Sequence, residues 1–168
     1  RKANRAEKDP GRRKKLPRKP RKPSPPALSP NRPVSIYNGM IHPWVGYAMQ
    51  GAIWYQGESN AGRAKEYETI FPLLILDWRK RWQKELPFYF VQLANFRMPT
   101  SKPGEASSWA ELQNAQRLTL RLPKTGMAVI NDIGAAKDIH PRNKKDVGER
   151  LARWALANDY GSKDVVVS

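Results

Sequence analysis

Three short runs of β-forming residues, each closed by a polar turn and followed by a helical pattern, constrain this chain most. They are "GAIWY" (51–55), "FYFVQLA" (88–94) and "GMAVIND" (126–132). Each is aromatic or β-branched, short enough for a strand, and ends on turn-forming residues. Between the first two, "AKEYETIFPLLILDWRKRWQ" (64–83) brings Tyr67, Ile70, Phe71, Leu74 and Trp78 near one face of a helix. Pro72 has no amide hydrogen to donate, so a kink or break is expected there. Ser108, Trp109, Ala110 and Glu111 read as a capping box that opens a helix running to about Leu120. A last helix is expected over 143–159, with Val147, Leu151, Trp154 and Ala155 on one side and Gly161 as its C-terminal cap. Strands separated by helices imply a parallel sheet covered on both faces, the α/β class.

Sites in such sheets form where strands end at their carboxyl termini. Three polar clusters fall there: "QGESN" (56–60), "QLANF" (92–96) and "NDIGAAKDIHPRNK" (131–144). In the first, Ser59 lies in a Gly-x-Ser-x-Ala pattern at a strand-to-helix turn, the local form of a nucleophile elbow. The third holds His140, two residues after Asp138. A general base needs an imidazole with a carboxylate on its other nitrogen, and Asp138 or Asp132 could supply it. The competing reading is that Asp138 and His140 only cap the helix that follows. His42, the other histidine, reads as a packed or surface residue beside Pro43. With no cysteine and no second histidine near His140, a metal site lacks ligands, and no cofactor is expected. Trp54 and Trp109 could stack on a sugar ring, although core packing is their ordinary use.

Charge divides the chain unevenly. Residues 1–33 hold 13 Lys/Arg against 2 Asp/Glu, +11 of the total +16, together with 8 of the 15 prolines. The expected organisation is therefore a basic, Pro-rich segment over 1–33, disordered or loosely held on the surface, and a folded domain over 34–168. Such a segment could contact nucleic acid or an anionic polysaccharide, which would make the chain a binding fragment rather than a catalyst. No stacking aromatics are interleaved with its charges, so a solvated linker is the plainer reading and nucleic acid is not the expected partner. No apolar run reaches membrane-spanning length, and the first residues lack the apolar core of a signal peptide. Nothing in the sequence addresses oligomeric state.

Several contiguous blocks resemble one family. "IYNGMIHP", "GAIWYQGESNAG", "FPLLILDWR", "PFYFVQLANF", "WAELQNAQ", "TGMAVINDIG" and "DIHPRNKKDVGERLARWAL" are similar to the sialate O-acetylesterases, SGNH-type carbohydrate esterases related to some acetylxylan esterases. The resemblance covers about residues 35–161. It implies a flavodoxin-like three-layer α/β/α sandwich and a Ser-His-Asp mechanism that removes acetyl groups from sialic acid or related acetylated sugars. An acetylated sugar is then the partner, and an extracytoplasmic or secreted location is implied. Asp138 and His140 match the acid–base block. The "QGESN" turn matches a block lining the acyl pocket and oxyanion hole, which gives that role to Gln56, Gly57 and Glu58 with Ser59 beside them. The family's G-Q-S-N nucleophile block has no counterpart in these residues. The expectation is thus an esterase domain incomplete at its N-terminus, with the serine outside the chain, inactive by itself, and Ser59 as the alternative nucleophile.

Overall fold

The computed structural model describes residues 32–102 and 104–167. The expectation of a disordered or loosely held segment over 1–33 lies outside the described residues, apart from its last two positions. The chain divides into two compact units, Arg1–Pro43 and Trp44–Ser168. In the first, a π-helical turn spans Tyr37–Ile41, and the Tyr37 ring meets the exposed His42 edge-on at 5.8 Å. His42 is a surface residue.

The second unit is built on a parallel sheet of three strands in chain order, β1 (Ala52–Trp54), β2 (Phe88–Val91) and β3 (Thr125–Ala128). All four residues of β2 are buried. Its side chains alternate between two separate cores. Phe88 and Phe90, with Met127, face helices α1 (Ala64–Trp82) and α2 (Ser108–Leu118), meeting Tyr67, Phe71, Ile75, Leu112 and Ala115. Tyr89 and Val91, with Ala128, face α3 (Lys144–Asn158), meeting Val147, Leu151 and Trp154. Helix, sheet and helix form three layers, which explains why β2 reads as a continuous apolar run rather than an alternating one. Gly126 lets Trp154 lie flat on β3; a Cβ there would collide with the indole ring.

Four local expectations shift. Helix α1 runs through Pro72 without a break. The carbonyl that Pro72 leaves without its helical donor, Glu68 O, accepts from Arg121 Nη2 at 3.3 Å, so a neighbouring element replaces the lost bond. The buried arc of α1 is centred on Phe71 and Ile75, which leaves Ile70 46 % exposed. The cap of α2 is Ser107, not Ser108: its side chain accepts from the Ala110 amide at 3.3 Å. Gly161, expected as the C-terminal cap of α3, lies two residues past the cap, Asp159, and takes φ +69°.

Arg79 ties the last turn of α1 to the starts of two strands. Its Nε donates to Leu86 O at 3.0 Å, and Nη2 donates to Pro123 O at 2.7 Å and Lys124 O at 3.1 Å. The residue is buried, so these carbonyls have little recourse to water. Arg79→Met should cost about 2–4 kcal/mol of unfolding free energy in urea titrations of the chain, because it strands the Leu86 and Pro123 carbonyls, whereas Lys124 O keeps the Phe88 N–H at 2.9 Å. Arg79→Lys should recover only part, since one ammonium cannot span the three carbonyls that the guanidinium fork reaches.

Candidate active site

The first polar cluster follows β1 directly. Trp54 and Tyr55 lead into Gln56 and Gly57, a 3-10 turn spans Glu58–Arg63, and α1 begins at Ala64. Gly57 turns the chain at φ +147° and ψ −14°, a conformation open to glycine and strained for any other residue. A Cβ there would also press on Gln116 Nε2 at 3.2 Å and Leu112 Cδ2 at 3.4 Å. The Gly57 N–H donates to Glu58 Oε2 at 2.9 Å. Gln56 Nε2 donates to Asn60 Oδ1 at 3.0 Å. The Tyr67 hydroxyl lies 3.3 Å from Gln56 O and 3.2 Å from Gln56 Oε1 and donates to this pair. Ser59 is exposed on the 3-10 turn, two residues past Gly57, and its hydroxyl makes no hydrogen bond to His140 or to any other described residue. Burial, and to a lesser extent the Glu58 carboxylate, raises the Tyr55 phenol above its ordinary value.

The second cluster, after β2, is held by polar side chains of α2. Gln116, 1 % exposed, accepts from Leu93 N–H at 2.9 Å and donates to Gln56 O at 3.2 Å. Gln113 Nε2 donates to Leu93 O at 2.7 Å and to Asn131 Oδ1 at 2.9 Å. Trp109 Nε1 donates to Ala94 O at 2.8 Å. Trp109 is therefore a core residue, and the half-buried Trp54 packs against that core beside Phe71, Trp78 and Phe88. Sequence reading passed over Gln113, Gln116 and Tyr67. The available signal was a pair of amides three residues apart on a helix side otherwise filled by Leu112 and Ala115.

The third cluster carries Asp138 and His140 on an exposed turn. Asp138 Oδ1 accepts the His140 backbone N–H at 2.9 Å, while the imidazole Nδ1 stands 3.8 Å from the same oxygen. The pair is adjacent but its side chains are not hydrogen-bonded at that distance. Neither residue caps α3: Asn143 Oδ1 accepts from the Asp146 amide at 3.2 Å and does so itself. Asp132 is not brought to His140 as its orienter. Both its oxygens receive Arg150, at 2.6 Å each, and this guanidinium holds the Asp132 carboxyl down to about 2. Lys144, at the start of α3, places its ammonium 4.5 Å from the centre of the Tyr55 ring, which draws the end of the histidine loop across the sheet to the β1 turn. Among the described residues, no group of three or more His, Cys, Asp or Glu could hold a metal ion. No helix among them is long and apolar enough to cross a membrane.

An open parallel α/β sheet with polar turns gathered at the carboxyl ends of its strands defines the class. The family described as carbohydrate esterase, sialic acid-specific acetylesterase, matches residues 30–157. Sialate O-acetylesterase from Mus musculus is 32% identical over 164 residues, covering 85% of this chain and 29% of that protein. The Homo sapiens sialate O-acetylesterase is 32% identical over 155 residues, covering 81% and 29%. The crystal structure of a novel carbohydrate acetylesterase from Xanthomonas citri superposes with a TM-score of 0.70 and 50% identity, over 76% of this chain and 30% of that one. The chain belongs to the sialic acid-specific acetylesterase family of carbohydrate esterases, and its fold is of the SGNH type. It spans 29% of the length of these curated relatives.

Tyr67 gives the β1 turn a measurable pH dependence. Burial is the main cause that pushes its phenol from 10.0 up to about 12, so the hydroxyl remains a donor to Gln56 at neutral pH. The folded state prefers the neutral phenol, so this stabilisation is complete below the unfolded value and is lost as pH rises through the folded one. Urea titrations should show unfolding free energy falling between pH 10 and about pH 12, with roughly 2–3 kcal/mol of the fall absent in Tyr67→Phe.

Proposed function

We propose that this chain carries the acyl-pocket and acid–base parts of an esterase that removes O-acetyl groups from sialic acid or related acetylated sugars. The observation that carries the reading is convergence: the Gly57 turn and the Asp138–His140 turn follow β1 and β3, the two parallel strands that flank β2, at the same end of the sheet, and Lys144 Nζ meets the Tyr55 ring between them at 4.5 Å. Family membership supports the same chemistry. His140 is the general base, exposed and free to rotate toward a substrate. Asp138 is its orienter, and closing the 3.8 Å separation by about an ångström completes the bond. Gln56, Gly57 and Glu58 line the acyl pocket.

The nucleophilic serine is supplied by polypeptide outside these residues. Ser59 lacks a base within hydrogen-bonding reach, and the chain spans under a third of its curated relatives. In the reaction, the serine Oγ bonds to the acetyl carbon as His140 takes its proton. The carbonyl oxygen becomes an oxyanion, which the Gly57 N–H meets once Glu58 swings off it. As the oxyanion collapses, the bond between the acetyl carbon and the sugar oxygen breaks, and His140 returns the proton to that oxygen, which leaves as the sugar hydroxyl. Water attacks the acetyl-enzyme by the same route and releases acetate.

Acetate release from an acetylated sialic acid or a chromogenic acetate ester tests this. The chain alone and its Ser59→Ala form should stay at background, and the chain joined to polypeptide carrying the serine block should turn over. Activity of the chain alone that Ser59→Ala abolishes would instead make Ser59 the nucleophile. In the active form, His140→Ala should lower kcat by on the order of a thousandfold or more, and Asp138→Asn by less. Near-normal turnover of His140→Ala removes the base assignment. Gln56→Ala should reduce kcat by roughly a hundredfold with little change in KM if its amide donates to the oxyanion; a pure KM effect would make it a substrate-binding residue.

A further inference from the structure

We propose that Gln116 is a positioning residue of the acyl pocket: from the buried side it fixes the direction in which the Gly57 N–H points. The inference rests on the esterase reading for its catalytic consequence. Its structural basis is the peptide group between Gln56 and Gly57. The Gln56 carbonyl and the Gly57 N–H belong to one planar trans unit and point in opposite directions. Whatever holds the oxygen therefore aims the hydrogen. Gln116 Nε2 and the Tyr67 hydroxyl hold that oxygen, at 3.2 Å and 3.3 Å.

The orientation of the Gln116 amide leaves no choice. Leu93 N–H is a donor, so only Oε1 can face it; Gln56 O is an acceptor, so only Nε2 can face it. One side chain, 1 % exposed, thereby links the end of β2 to the turn after β1. Glycine at position 57 makes the clamp necessary as well as possible. Its φ of +147° is accessible because it has no Cβ, but the same freedom would let this peptide rotate if its oxygen were released. A rotated peptide would present a carbonyl, rather than an N–H, to the developing oxyanion.

Two substitutions separate positioning from packing. Gln116→Met keeps an unbranched side chain of similar length and loses both hydrogen bonds. Gln116→Glu keeps the shape and changes only the group facing Gln56. As a carboxylate it accepts from Leu93 but repels the Gln56 carbonyl; once protonated, its O–H can donate as Nε2 does. Burial favours the neutral acid, which brings the change into an accessible pH range. In the serine-bearing polypeptide, Gln116→Met should lower kcat about a hundredfold, as expected for a misplaced catalytic group, with KM changed by no more than about twofold. Relative to wild type at each pH, Gln116→Glu should regain activity as pH falls from about 8 to about 5, while Gln116→Met stays flat.

The Gly57 and Leu93 amide resonances of this chain supply a readout independent of turnover. Both should move in Gln116→Met, and their hydrogen exchange should quicken. Wild-type kcat in Gln116→Met, or an unmoved Gly57 amide, overturns the proposal. If wild-type polypeptide bearing the serine releases no acetate, the esterase reading fails, and the clamp is then judged by the Gly57 amide alone.

Discussion

Strand β2 is buried on both faces, and the arrangement of the other elements follows from that requirement. A strand with Phe88 and Phe90 on one side and Tyr89 and Val91 on the other must be covered twice. Helices α1 and α2 supply one cover and α3 the other. Parallel pairing to β1 and β3 satisfies its backbone on both edges. The price is that the connections must cross over the sheet, so the turns leaving β1, β2 and β3 gather at the same end. The candidate site is a consequence of burying one strand completely.

Those turns then need support, because polar backbone at the end of a buried sheet has lost water without gaining a ladder partner. Helix α2 provides it through side chains. Gln116, Gln113 and Trp109 bind the Leu93 amide, the Leu93 carbonyl and the Ala94 carbonyl in turn. The same device operates at the other end of the sheet, where Arg79 binds Leu86, Pro123 and Lys124. Side chains that look like surface polarity in a helical pattern are thus structural where they meet strand ends. At the β1 turn the bracing has chemical meaning, since holding the Gln56 carbonyl aims the Gly57 N–H. The Asp138–His140 turn, by contrast, is exposed, and its side chains stand 3.8 Å apart.

Strand and helix order, the parallel sheet and the two-sided cover were legible in the chain, because apolar periodicity is a local property that tertiary structure seldom overrides over long, regular segments. The three polar clusters at strand ends were legible for the same reason, and so was the family, whose blocks coincide with those strands and turns. What the chain by itself did not determine was which polar groups find each other. Asp132 stood as a second candidate partner for His140 after Asp138, but α3 brings Arg150 onto both its oxygens. Pro72 was expected to kink or break α1, yet the helix continues through it, and Arg121, 49 positions further along the chain, supplies a donor to the carbonyl it orphans. Gln116 reads as one amide among many until the fold sets it between Leu93 and Gln56. Periodicity is carried by neighbours in sequence, whereas a hydrogen bond depends on distances of a few ångströms between residues far apart in the chain, and only the packed layers set those distances.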